Sequence, residues 1–64
     1  MNKRVEYDPK NAVFITVDDA ASLTSLGRNT IRRLAQESNS ARKIGKSYRI
    51  NRTKLIEYIE SFEL

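Results

Sequence analysis

The chain has 64 residues and a formal net charge of +4, from twelve basic and eight acidic side chains. A domain of this size buries only about 60% of the surface that its unfolded chain exposes, so its core must be minimal. Because the sequence contains neither Cys nor His, disulfides and nearly all zinc sites are excluded, and the usual general base is absent.

No apolar stretch approaches the length of about 20 residues that spans a bilayer, and no segment looks like a signal peptide. We therefore expect a cytoplasmic protein that does not contact membranes. We also expect it to have no cofactor, no metal and no catalytic role.

The first elements are a polar arm and a short strand. Residues 1–11 contain the only proline, Pro9, and are expected to form a flexible arm, with the domain occupying residues 12–64. The β-branched and aromatic residues 13–16 predict a strand. Thr16 followed by Asp19 predicts a capping box at the start of a first helix over about residues 17–23. A metal or acid–base site is the alternative for Asp18 and Asp19, but their spacing fits a cap and the sequence offers no partners.

A second helix is expected after a turn that ends at Gly27, which suits an N-cap position. Leu26 before the cap can pack on Ile31, and Ile31, Leu34 and Ala35 form the inward stripe. The polar residues predicted to lie outward, beside the stripe or in the first turn are Arg28, Asn29, Thr30, Arg32, Arg33 and Gln36.

Residues 41–50 predict a hairpin whose turn opens at Gly45. A two-residue loop would place Ile44 on the face opposite Tyr48, whereas a three-residue loop would bring the two together. We favour the longer loop because it keeps Ile44 dry. The hairpin side chains expected to contact a ligand are Arg42, Lys43, Lys46, Ser47 and Arg49.

The last helix is expected to begin after Asn51, which can cap it. Its predicted buried stripe is Leu55, Ile56, Ile59 and Phe62, with Tyr58 at the margin. Acidic residues at 57, 60 and 63 line the other side. A solvated face is the favoured interpretation, and a docking patch for a protein partner or a guard against misplaced DNA are the alternatives.

Basic charge is concentrated in one part of the chain. Between Arg28 and Lys54 there are nine basic residues and one acid, Glu37, a net charge of +8 in a chain of +4. Such a block on two consecutive small elements predicts a surface for a polyanion. A helix-turn-helix followed by a basic hairpin favours duplex DNA as that polyanion.

Three motifs in order resemble a known family. Residues 16–21 are similar to a T-hydrophobic-E-E-A-A opening, residues 26–35 (LGRNTIRRLA) resemble the second helix of conjugative-transposon excisionases, and residues 44–52 (IGKSYRINR) resemble the wing and exit. The family is the small excisionase and mercury-resistance-regulator type of winged helix. Aspartates stand where glutamates are commoner at 18 and 19, and the wing is short.

The resemblance implies an α+β winged helix-turn-helix, with three short helices and a small antiparallel sheet that ends in a hairpin wing. It also implies an accessory factor that binds duplex DNA and helps a tyrosine integrase to excise a mobile element. We expect a monomer, with cooperative copies on adjacent DNA sites as the alternative.

Two other functions remain open. A transcriptional regulator of a mobile element or phage would use the same DNA-binding surface. A module that only docks to an integrase is less favoured because of the charge block. A recombinase is not expected, since Tyr7, Tyr48 and Tyr58 have no histidine to assist them.

Overall fold

The computed structural model describes residues 12–63, so the arm predicted for residues 1–11 lies outside the described range. In chain order the elements are β1 (Phe14–Ile15), α1 (Val17–Thr24), α2 (Arg28–Glu37), β2 (Ala41–Ile44), β3 (Ser47–Asn51) and α3 (Arg52–Glu60). The strands form one antiparallel sheet in the order β1-β3-β2. This α+β architecture is compatible with a winged helix and confirms the predicted fold class.

The capping box at the start of α1 is present. The Thr16 Oγ1 accepts a hydrogen bond from the Asp19 backbone N–H at 3.0 Å, and the Asp19 carboxylate accepts one from the Thr16 N–H at 3.4 Å. Two donors that the first turn would leave unpaired are therefore satisfied within the segment itself. The predicted cap is confirmed, and the carboxylate of Asp19 is used in building the helix.

The two later helices also begin where the sequence places them. Gly27 is the N-cap of α2 in an extended conformation, with no side-chain hydrogen bond to the helix. Asn51 caps α3, its Oδ1 accepting from the Lys54 N–H at 3.0 Å. Between α1 and α2 the chain reverses through Ser25, which adopts a left-handed conformation with φ 63°. Only three residues separate α1 from α2, so the turn holds the two helices close together.

The core lies between the helices and one face of the sheet. It consists of seven buried apolar residues: Ile15, Ala20, Ile31, Leu34, Ala35, Ile50 and Leu55. The inward stripe predicted for α2 is thus confirmed. Ser40, between α2 and β2, is also buried, and its hydroxyl bonds to the Ala35 carbonyl and the Ser38 hydroxyl. Those bonds satisfy the Ser40 hydroxyl, whereas the hydroxyl of Tyr48, which packs against the core, is buried without a hydrogen-bond partner among the described residues.

The hairpin register differs from the one that we favoured. Ile44 pairs with Ser47, which leaves Gly45 and Lys46 as a two-residue loop. Gly45 has φ +61°, the feature of a type II′ turn, whose twist matches that of the flanking strands. Ile44 consequently lies on the face opposite Tyr48 and remains 59% exposed. Turn geometry overrides the burial of one isoleucine, and the prediction of a three-residue loop is wrong.

The end of α3 also differs from the prediction. Leu55 is buried and Ile56 and Ile59 are half-buried, but Phe62 is 57% exposed. The helix ends at Glu60, so Phe62 no longer follows the helical period that would have directed it inward. Its ring instead packs edge to face on Tyr58, with 5.2 Å between centroids. Of the predicted stripe only Leu55 is buried, Ile59 packs half-buried against the core, and Ile56 and Phe62 do not belong to the core.

Candidate nucleic-acid interface

The outward face of α2 is polar along its whole length. Five of its six predicted contact residues are exposed, namely Arg28, Asn29, Arg32, Arg33 and Gln36, and Thr30 is half-buried. The opposite face supplies Ile31, Leu34 and Ala35 to the core. A helix held rigidly by one face and free on the other can be inserted into a groove without rearrangement of the domain.

Two arginines of this helix are held by acidic side chains. Arg28, in the first turn, forms an ion pair with Asp18 of α1 through its Nε. Arg33, almost opposite the buried stripe, donates from Nη1 to Glu37 Oε2 at 3.2 Å. Both pairs are exposed, so their contribution to stability is small. Their effect is to restrict where these two arginines lie in the free protein.

Glu37 also joins α2 to α3. Its second carboxylate oxygen accepts a hydrogen bond from the Tyr58 hydroxyl at 2.8 Å. That hydrogen bond to a carboxylate, followed by desolvation and the negative charge nearby, raises the pKa of Tyr58 above its ordinary value of 10.0. The one acid in the basic block is therefore used in orienting Arg33 and the last helix.

Three other exposed side chains of α2 have no such partners. The side chains of Asn29, Arg32 and Gln36 make no hydrogen bond or ion pair with any other residue in the range 12–63. Arg can pair with guanine O6 and N7, while Asn and Gln can pair with adenine N6 and N7. The three residue types that read base edges most directly are thus the three left without partners here.

The hairpin residues divide between the two faces of the sheet. Because side chains alternate along a strand, Lys43 lies on the same face as the buried Ile50, beyond the core, where it is exposed. Lys46 is exposed in the loop. Within the described part of the chain neither lysine has a hydrogen-bond or ion-pair partner. These two residues extend the positive surface past the end of α2.

Arg42, Ser47 and Arg49 lie on the outer face of the sheet, the face away from the core. Arg42 and Arg49 are directly opposite each other in the β2–β3 register, and both are half-buried. These three residues therefore do not form one continuous surface with α2, because the core separates the outer sheet face from that helix.

A profile of the Family of unknown function (DUF6462) matches residues 12–62. The chain belongs to this family. No curated protein and no solved structure matches the sequence. The DUF6462 match extends from just before β1 to just beyond α3, so it covers all six elements.

Sequence reasoning missed the residues that position the arginines of this DUF6462 domain. Asp18 and Tyr58 were assigned to a helix start and to the margin of the core, and neither was paired with α2. The i, i+4 spacing of Arg33 and Glu37 was a readable signal. The contacts from α1 and α3 depend on packing between helices and have no local sequence signal.

Two basic residues outside the predicted site have different environments. Arg52 is half-buried and donates from Nε to the Ala12 carbonyl at 3.0 Å, which ties the start of α3 to the segment before β1. Lys54 is exposed. Within residues 12–63 there is no cluster of three or more metal-ligating side chains. None of the helices in that range is long and apolar enough to cross a bilayer.

Proposed function

We propose that this DUF6462 protein is a sequence-specific duplex DNA-binding factor that acts as an excisionase, promoting integrase-mediated excision of a mobile element. The observation that supports DNA binding best is the α2 face, where Asn29, Arg32 and Gln36 are exposed and unpartnered within the described chain. The excision role rests on the similarity of residues 26–35 to transposon excisionases.

In the proposed complex α2 enters the major groove. Asn29, Arg32 and Gln36 contact base edges, and Thr30 holds a phosphate near the start of the helix. Arg28 and Arg33 already have acidic partners, so each must exchange a carboxylate for DNA if it is to contribute. Such an exchange contributes less binding free energy than a contact by an arginine without an acidic partner. We therefore assign Arg28 and Arg33 to phosphate contacts that position the protein.

The hairpin supplies the backbone contacts of the proposal. Lys43 and Lys46 extend over the adjacent phosphates or minor groove, a surface that adds affinity without reading sequence. The protein is proposed to act as a monomer in the nucleoid, where the DNA that it binds is located. Glu57 and Glu60 of α3 are exposed and outside the proposed DNA surface, so they are the candidate contact with the integrase.

A transcriptional regulator is the second candidate function, and the same exposed α2 face supports it. Regulator and excisionase would share every DNA contact and differ in what the bound site controls. An interaction module without DNA binding is a weaker proposal, because it leaves the basic block with no role.

An in vitro excision assay separates these functions. With the matching integrase and its attachment-site DNA, adding the protein should raise the yield of excised product, and the protein alone should cleave no strand. Reversing both Glu57 and Glu60 to Lys should leave DNA binding intact and reduce excision, and DNA binding of the same variant is the control. If excision is equal with and without the protein while transcription from a nearby promoter responds to it, the excisionase proposal is wrong and the regulator proposal takes its place.

A further inference from the structure

The outer face of the sheet carries two arginines at paired positions. Arg42 of β2 and Arg49 of β3 are cross-strand partners, and residues at such positions have Cβ atoms about 4.5–5.5 Å apart. The other residues on this face of the strands are Phe14, Ile44, Ser47 and Asn51. None of them is acidic, and no ion pair within residues 12–63 neutralises the two like charges.

Each guanidinium is held by the main chain and keeps donors free. Arg42 Nη1 donates to the carbonyls of Asn39 and Ala41 at 2.8 and 2.9 Å, and Arg49 Nη1 donates to the Tyr48 carbonyl at 3.0 Å. The Nε and Nη2 groups of both side chains have no acceptor among the described residues. Half-burial restricts the side chains further, so the free donors are preorganised.

Like charges directly opposite each other in a sheet are destabilising. An oxyanion bound between the two arginines makes the arrangement favourable, because each guanidinium then has a counter-charge and a charge-assisted hydrogen bond. Resting on the proposed DNA binding, we propose that Arg42 and Arg49 jointly clamp a single phosphate of the DNA backbone. The phosphate belongs to a part of the DNA distinct from that read by α2, since the core lies between the two surfaces.

The first test is a double-mutant cycle on DNA affinity with the full chain, using Arg42→Gln, Arg49→Gln and the double variant. Each single change should weaken binding about tenfold, and the double change should cost little more rather than about a hundredfold. The salt slope of the double variant should become shallower by about 0.9, the value for one phosphate. Additive losses with a slope change near 1.8 would mean two independent contacts and would overturn the clamp.

The matched control is the pair Lys43→Gln and Lys46→Gln, which removes the same charge from the same hairpin at positions that are not paired. Their effects on affinity should add. If they show the same non-additivity as the arginines, the coupling belongs to the hairpin as a whole and the clamp is contradicted.

The second test needs no DNA. Replacing chloride by inorganic phosphate at constant ionic strength should raise the melting temperature of the wild type more than that of the double arginine variant. The general stabilising effect of phosphate salts is shared by both proteins and cancels in the comparison. An equal rise would overturn the site.

The two tests also separate the clamp from the proposed function. Absence of DNA binding by the wild type would remove the proposed function, and the phosphate comparison would still decide whether the arginines form an anion site. Selective stabilisation by phosphate combined with additive DNA losses would assign the site to free phosphate and overturn its assignment to the DNA backbone.

Discussion

Arg32 and Arg33 are adjacent in the sequence but lie in different surroundings. Arg33 is hydrogen-bonded to Glu37, which Tyr58 holds from α3, whereas Arg32 has no partner within residues 12–63. A free guanidinium can adopt the geometry that a base pair demands without first breaking an ion pair. The difference makes Arg32 the better candidate for base recognition, although the helical wheel places Arg33 nearer the centre of the outward face.

Replacing Arg32 by Ala should cost about 1–3 kcal/mol of binding free energy on the specific site and little on random DNA. Lys46→Ala is the matched comparison, because a lysine at the hairpin tip contacts phosphate and should weaken both DNAs about equally. Fluorescence titrations with a specific and a scrambled duplex measure both effects. Equal losses on the two duplexes for Arg32→Ala would show that α2 positions the protein without reading sequence.

The Tyr58 hydroxyl has a raised pKa, and its main cause is the hydrogen bond to Glu37. Because the pKa of Tyr58 is higher in the folded state, its protonated hydroxyl stabilises the folded protein. This stabilisation is fully present below the ordinary pKa of 10.0 and is lost as the pH rises through the folded-state pKa. In an NMR titration, Glu37→Gln should lower the pKa of Tyr58. An unchanged titration midpoint would mean that the carboxylate does not contact the hydroxyl in solution.

Among the elements, the hairpin was predicted from the sequence but its loop length was not. Strand and turn residues predicted its existence, and Gly45 was identified correctly as the start of the turn. The loop length was wrong because we weighed the burial of Ile44 above the twist preference of a two-residue loop.

The two glycines of the chain give a test of this register. Gly45 has φ +61°, and an Ala there should lose about 1–2 kcal/mol of unfolding free energy because side-chain residues are strained in that region. Gly27 has φ −70° and open space where a Cβ would lie. Gly27→Ser should therefore be tolerated, with a gain of about a few tenths of a kcal/mol from N-capping.

Urea unfolding of both glycine variants measures the two free energies. Comparable stability of Gly45→Ala and the wild type would show that the turn is not left-handed at residue 45.

The helices were more predictable than the hairpin. Their starts are marked by local features, Thr16 with Asp19, Gly27 and Asn51, and all three caps lie where the sequence placed them. Their inward stripes follow from periodicity except in α3, where Ile56 does not pack on the core and Phe62 lies beyond the end of the helix. The ion pair of Arg28 with Asp18 and the hydrogen bond of Tyr58 to Glu37 could not be foreseen in the same way, since they depend on how α1 and α3 pack against α2.

At the scale of the whole molecule, the charges are segregated. Nine of the twelve basic residues lie between Arg28 and Lys54, and the acids of α3 lie outside the surface that we propose for DNA. An even distribution of the same charges would give a weak field, whereas this concentration favours attraction of a polyanion.

The central claim is that this basic surface binds duplex DNA, and the salt dependence of that binding tests it most directly. If about five phosphates are neutralised, log K should fall with log salt concentration with a slope near −4.5. Binding should be measured by titration at several salt concentrations with one duplex. A slope near −4.5 is the result that we predict, and one shallower than about −1.5 would contradict the electrostatic account of the surface.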